Sequence, residues 1–239
     1  MDEPTDFLRE PAEPDDSVSN GFVNPLDLFN YVSPSAWINS AIEGLTGIDV
    51  FGYFTDWVSG DWAAMWKFGD AMANLAECMQ QIGINIQQGM LQLDDRWDGN
   101  ASDAAFQYFS GLGAATSGQQ IALRDSQEAY HKAANGAWQL SNQLGNILQA
   151  LADKAILAGV TAAAGTALAE TGIGAVVGYA ATALIVVDML NLINKASTII
   201  NTAGTVILGF FGTGMDIGYK GGNLSAIQLP NVAYTAPGA

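Results

Sequence analysis

From Trp62 to Trp97 the apolar residues Met65, Phe68, Met72, Leu75, Met79, Ile82, Ile86, Met90 and Leu93 return at steps of three or four. That spacing keeps one side of an α-helix apolar, whereas a strand needs alternation, so it predicts an amphipathic helix of about nine turns. Its large side chains are the expected seam against a second helix. Gly83 and Gly89 each lower helix propensity by about 1 kcal/mol relative to Ala, so packing must hold the helix together. The stripe resumes with Phe106, Phe109 and Leu112, then Tyr130, Ala134, Trp138, Leu144, Leu148 and Leu151. Asn100 or Ser102 is placed to cap this second helix, and GLGAATSG at 111–118 is expected to kink it.

The break between the two stripes reads LDDRWDGNASDAAFQYF, residues 93–109. Gly99 supplies a backbone conformation that other residues avoid, as the turn of an antiparallel hairpin needs, and Trp97 is expected to fold back over the end where the helices meet. With Ala101, Ala104, Ala105 and Phe106 following, WDGNASDAAFQYF resembles the Trp-x-Gly loop of the WXG family, the helical-hairpin substrates of type VII (ESX) secretion. The resemblance spans residues 62 to about 152. It implies a hairpin that pairs with a WXG-like helical partner, or with itself, into a helical bundle through Trp97, Gly99, Ala101 and Phe106. It further implies a secreted or cell-surface effector, exported by the type VII secretion machinery without a cleaved signal and without catalytic activity. Two features depart from the family. None of the seven tyrosines has an acid four positions on, so the family's export motif is missing, and an apolar region follows the second helix.

Five segments are expected. Residues 1–21 form an acidic, disordered tail: the first sixteen hold seven acids, three prolines and one Arg, unlike a secretory signal peptide. Residues 22–60 form short aromatic-rich helices, one opening at Ser33–Pro34 and closing at Gly44 or Gly47, another running from Asp49 to Gly60. Their aromatics Phe29, Tyr31, Trp37, Phe51, Tyr53, Phe54 and Trp57 are expected to pack on the longer helices. The hairpin occupies 61–153, an apolar glycine-rich helical region 154–216, and an extended tail 217–239. The fold class is all-α: a long antiparallel hairpin, short N-terminal helices and an apolar helical hairpin.

Residues 155–169, 171–187 and 196–215 carry no charge, and the last is 20 residues long, enough for one membrane span. Gly159, Gly165, Gly172, Gly174 and Gly178 have the small-residue spacing of a glycine zipper, and with Phe210 and Phe211 they are the membrane-insertion candidates. Asp188, Asn191, Asn194 and Lys195 interrupt the apolar run, as a buried hairpin of a soluble protein also allows. Three functions therefore stand: a secreted WXG-type effector, a membrane-active pore former, and a cytosolic helical scaffold. The corresponding locations are extracellular, membrane-associated and cytoplasmic.

Other chemistry finds no support in the residues. A net charge of −16 with eight dispersed Lys and Arg excludes nucleic acid as a partner. One histidine and one cysteine cannot build a His/Cys metal site within a chain, and no cofactor motif is present. GIGAVVG and GTGMDIG have one residue too many for G-x-G-x-x-G. No G-x-S-x-G accompanies His131, which is expected to be satisfied or solvent-facing. Asp94 and Asp95 beside Arg96 read as a solvated helix end, Cys78 as a small core residue, and the methionines at 65, 72, 79 and 90 as core. No catalytic residue is assigned.

Overall fold

The computed structural model describes residues 1–23, 35–49, 60–167 and 173–220. Among them there is no strand, and the chain is all-α. Helix α1 spans Ser35–Thr46, α2 Trp62–Asp94, α3 Asn100–Ala167 and α4 Ile173–Lys220. Short 3-10 turns occupy Pro4–Phe7 and Ser19–Phe22. The second aromatic helix expected near 49–60 lies outside the described residues, as do Phe29, Tyr31, Phe51, Tyr53, Phe54 and Trp57.

Helix α1 closes as its sequence predicts at Gly47, whose φ of +75° is the left-handed C-terminal conformation and whose N–H reaches the Glu43 carbonyl at 2.7 Å. Helix α3 runs through GLGAATSG, where a kink is expected, as part of one helix, and it passes residue 154 without interruption. The change to apolar composition at that point alters what the helix faces, not its path. Helix α4 likewise continues through Asp188, Asn191, Asn194 and Lys195 and extends to Lys220, beyond the expected start of an extended tail at 217.

The chain divides into two compact units, each assembled from distant segments: residues 1–14, 63–134 and the chain from 208 on form the first, residues 15–62 and 135–207 the second. In the first unit, α2 and the front of α3 lie antiparallel. Contacts join Gly83 to Gly113 and Ser117, and Gly69 to Gln127 and His131. Phe68 meets Tyr130 edge to face. In every pair the midpoint falls within two residues of Gly99.

The seam of this hairpin is not the one predicted. Its buried positions on α2 are Gly69, Ala76, Gly83 and Met90, a strict heptad, while Met65, Met72, Leu75, Met79, Ile82 and Ile86 are only half-buried and Phe68 is 47% exposed. A Cβ on Gly83 would lie 2.1 Å from Ser117 Oγ and 2.5 Å from the Gly113 carbonyl oxygen. Backbones this close leave no room between them for large side chains, which are displaced to the flank. The Ser117 hydroxyl crosses the seam to the Gln80 carbonyl at 3.2 Å. GLGAATSG is thus the crossing point of two helices, which its small residues permit.

Within the acidic segment 1–21, expected to be disordered, residues 1–13 are ordered on α2. Asn85 Nδ2 donates to the Asp2 carbonyl and Asn74 Nδ2 to the Arg9 carbonyl, both at 2.8 Å, and Lys67 pairs with Glu13. The segment therefore runs antiparallel to α2 as a strap. From residue 89, where the Met1 methyl approaches, to residue 67 the helix rises about 33 Å, so the thirteen strap residues must be largely extended to cover it. Cys78 and Gln81 are buried about half a turn round α2 from the glycine seam, on the side the strap follows.

The second unit has a conventional core. Ile42 of α1, Leu144, Ile147, Leu148, Leu151, Ala152 and Ala155 of α3, and Met189, Ile193, Ala196 and Ile200 of α4 pack together. Large aliphatic side chains fill this core, at about 1.5–3 kcal/mol for each one fully removed from water. At its edge Ser19, Asn20, Gly21 and Phe22 all have φ between 49° and 63°, a left-handed turn costing about 1–2 kcal/mol for each non-glycine residue. The turn is fastened by Ser19 Oγ donating to Asn135 Oδ1 at 2.7 Å, by Trp138 Nε1 donating to the Val23 carbonyl at 3.0 Å, and by burial of the Phe22 ring.

Candidate functional site

Two places in the first unit hold the residues that the sequence marks out. The first is the Trp-x-Gly turn. Gly99 has φ +103°, and nothing lies within 4 Å of where its Cβ would be, so the requirement for glycine is conformational and not steric. The Gly99 carbonyl accepts the Asp103 N–H at 3.0 Å, making Gly99 itself the residue that opens α3. Neither predicted cap serves: Asn100 is already inside the helix, and the Ser102 hydroxyl is buried without a hydrogen-bond partner.

Trp97 differs more from expectation. Its indole is 37% exposed and does not close the end of the bundle. Ala101 and Phe106 are half-buried, while Ser102 and Ala105, one face round, are buried at 2% exposure. Asp94, Asp95 and Arg96 are exposed, as a solvated helix end should be.

The second place lies toward the opposite end of the hairpin. The His131 ring stacks on Trp66 with centroids 3.6 Å apart and planes within 3°, and its Nε2 lies 3.0 Å from Asp70 Oδ1. A Cβ at Gly69 would come within 2.6 Å of the imidazole, so that glycine makes the room it occupies. Tyr130 adds edge contacts to Phe68 and Phe210 at 4.7 and 5.0 Å. Four residues apart on α3, Lys132 hydrogen-bonds to exposed Glu128 and holds that carboxyl below its ordinary range. His131 is a packed ring rather than a satisfied or solvent-facing one: its Nε2 is buried beside the Asp70 carboxylate but makes no hydrogen bond in that geometry. The aromatic cluster was not legible in advance, because Trp66 and His131 are 65 positions apart and lie off the large-residue stripe.

The membrane-insertion candidates do not form a zipper at the described positions. Gly159 is exposed with open space around it, and Gly178 is half-buried with its carbonyl accepting the Thr182 hydroxyl at 2.9 Å. Gly165, Gly174 and Phe211 fall within α3 and α4, and Gly172 lies outside the described residues. Phe210 is half-buried against Tyr130. Among the described residues, the glycines that permit close helix approach are Gly69, Gly83 and Gly113. One described helical stretch, Ala180–Gly214, is long and apolar enough to cross a membrane, and 22% of its most apolar window is buried. Among the described residues no group of His, Cys, Asp or Glu could hold a metal ion.

No family model, curated protein or solved structure matches the chain.

Proposed function

We propose that this protein is a non-enzymatic substrate or effector of type VII secretion, of the WXG kind, which acts by pairing its α2–α3 hairpin with a second helical hairpin. The observation that carries the reading is the division of labour on α2. Small residues bring α2 and α3 together, which leaves Met65, Phe68, Met72, Leu75, Met79, Ile82 and Ile86 along one flank without full burial. A stripe of large apolar side chains at helical spacing is what a second helix packs against. Trp97 exposed at the turn adds an aromatic anchor of the type enriched in interfaces.

The test uses Trp97→Ala, because an exposed indole can be removed without opening a cavity. In a host with a working type VII system, the variant should lose export and lose co-purification with its helical partner while keeping the circular dichroism and melting temperature of the parent. A folded variant that is exported and paired like the parent overturns the reading and leaves a cytosolic helical scaffold in its place.

A further inference from the structure

We infer that the tip of the α3–α4 hairpin, residues 155–163 and 178–187 at its described positions, docks into one leaflet of a lipid bilayer, with the Lys154–Asp188 pair marking how deep it goes. The inference goes beyond the pairing function and rests on the second unit alone.

The two helices are antiparallel in register: Lys154 Nζ meets Asp188 Oδ2 at 2.7 Å, and Thr161 meets Thr182 at 3.0 Å. On the tip side of the ion pair both helices turn aliphatic side chains outward. Ile156, Leu157 and Val160 of α3 are 44%, 50% and 61% exposed, and Leu184 and Val187 of α4 are 70% and 54% exposed. Residues 155–187 contain a single charged residue, Glu170. Burying five branched aliphatic side chains supplies a substantial transfer free energy for docking.

The hydrogen bonding of the described tip suits lipid as the occupant. A hydrocarbon phase accepts only surfaces whose polar groups are already satisfied. The hydroxyls described at the tip meet that condition. Thr161 donates to the Ala158 carbonyl, Thr166 to the Ala163 carbonyl, and Thr182 to the Gly178 carbonyl. Past the ion pair Asn191, Asn194, Thr198 and Asn201, which belong in water, are exposed along α4 beside the partly exposed Leu190, and large apolar side chains return to its surface only at Val206 and Leu208.

Length sets the depth. From Lys154 to Ala167 helix α3 rises about 20 Å, against about 30 Å of hydrocarbon core, so the tip enters the bilayer and does not cross it. With a net charge of −16 on the chain, zwitterionic lipid is the fitting surface, because anionic lipid would repel the rest of the molecule.

The experiment places an environment-sensitive NBD probe on a single cysteine in the full chain carrying Cys78→Ala, either at Val160→Cys in the tip or at Asn201→Cys beyond the ion pair. Each protein is mixed with phosphatidylcholine vesicles containing a nitroxide lipid. The probe at position 160 should shift to the blue and be quenched, while the probe at 201 should stay in water. Leu184→Asn, an exposed change that leaves the core alone, should weaken vesicle binding about tenfold with an unchanged melting curve. Quenching at both positions would overturn the depth limit and indicate that α4 enters whole. No change at position 160 would overturn docking altogether. Neither result bears on pairing through Trp97, which is read by export and co-purification.

Discussion

At the scale of single residues, glycine has three different physical meanings in one hairpin. Gly83 is required for space, since its Cβ would collide with backbone atoms of α3 that cannot move aside cheaply. Gly99 is required for conformation, with φ +103° and open space around it. Gly111 is required for neither: it sits inside α3, exposed, with nothing within 4 Å of a Cβ. Alanine substitution separates the cases. Gly83→Ala should destabilise the protein by about 1–3 kcal/mol through overpacking at the crossing. Gly111→Ala should stabilise it by about 0.5–1 kcal/mol, because the folded state gains helix propensity without a clash. Urea titration of the two variants beside the parent measures both. Equal midpoints would mean that the helices are not as close at residue 83 as the geometry states.

At the scale of elements, the strap is held by side-chain amides of α2 that donate to its backbone. Asn74 and Asn85 reach the Arg9 and Asp2 carbonyls, and each such bond is worth about 0.5–1.5 kcal/mol net. The Lys67–Glu13 pair is partly exposed and screened, and adds less. Arg9, whose own carbonyl accepts the Asn74 amide, provides a protease site. Asn74→Ala should therefore raise the rate of trypsin cleavage after Arg9 by about three- to tenfold, with global stability nearly unchanged, since local opening governs cutting there. A cleavage rate equal to the parent's would show that the Asn74 amide does not fasten the strap. How much was legible in the sequence differs by element for the same reason. The long helices and the turn at Gly99 were readable, because periodicity and a permissive glycine are local properties. The strap was not, because an acidic, proline-containing segment has the composition of disorder, and docking through its own carbonyls leaves no mark on its side chains. The seam was misplaced because hydrophobic periodicity weights large residues, whereas the closest contact between helices is made by the smallest.

At the scale of the whole molecule, each of the two units is stabilised internally by different physics. The unit containing residues 135–207 buries Leu144, Ile147, Leu148, Leu151, Met189, Ile193 and Ile200, the large aliphatic groups that give most of the transfer free energy in a core. The unit containing residues 63–134 buries chiefly glycine, alanine, serine and threonine, which gain close contact but remove little apolar area from water. Helix α3 belongs to both and is one continuous helix, so it reports the difference along its own length. Amides at 144–155 and 189–200 should exchange slowest with deuterium, and protection along α3 should fall toward residues 101–130 by an order of magnitude or more, reflecting sub-global opening of the hairpin below the global unfolding free energy. Uniform protection from residue 101 to residue 155 would mean that the small-residue seam is as stabilising as the aliphatic core. The gradient also has a functional consequence, because a hairpin that opens more readily than its neighbouring core gains most from a partner that covers its flank. Adding the pairing hairpin should raise protection at 65–90 and 101–130 and leave 144–155 unchanged, since a ligand slows exchange only where its binding opposes the opening.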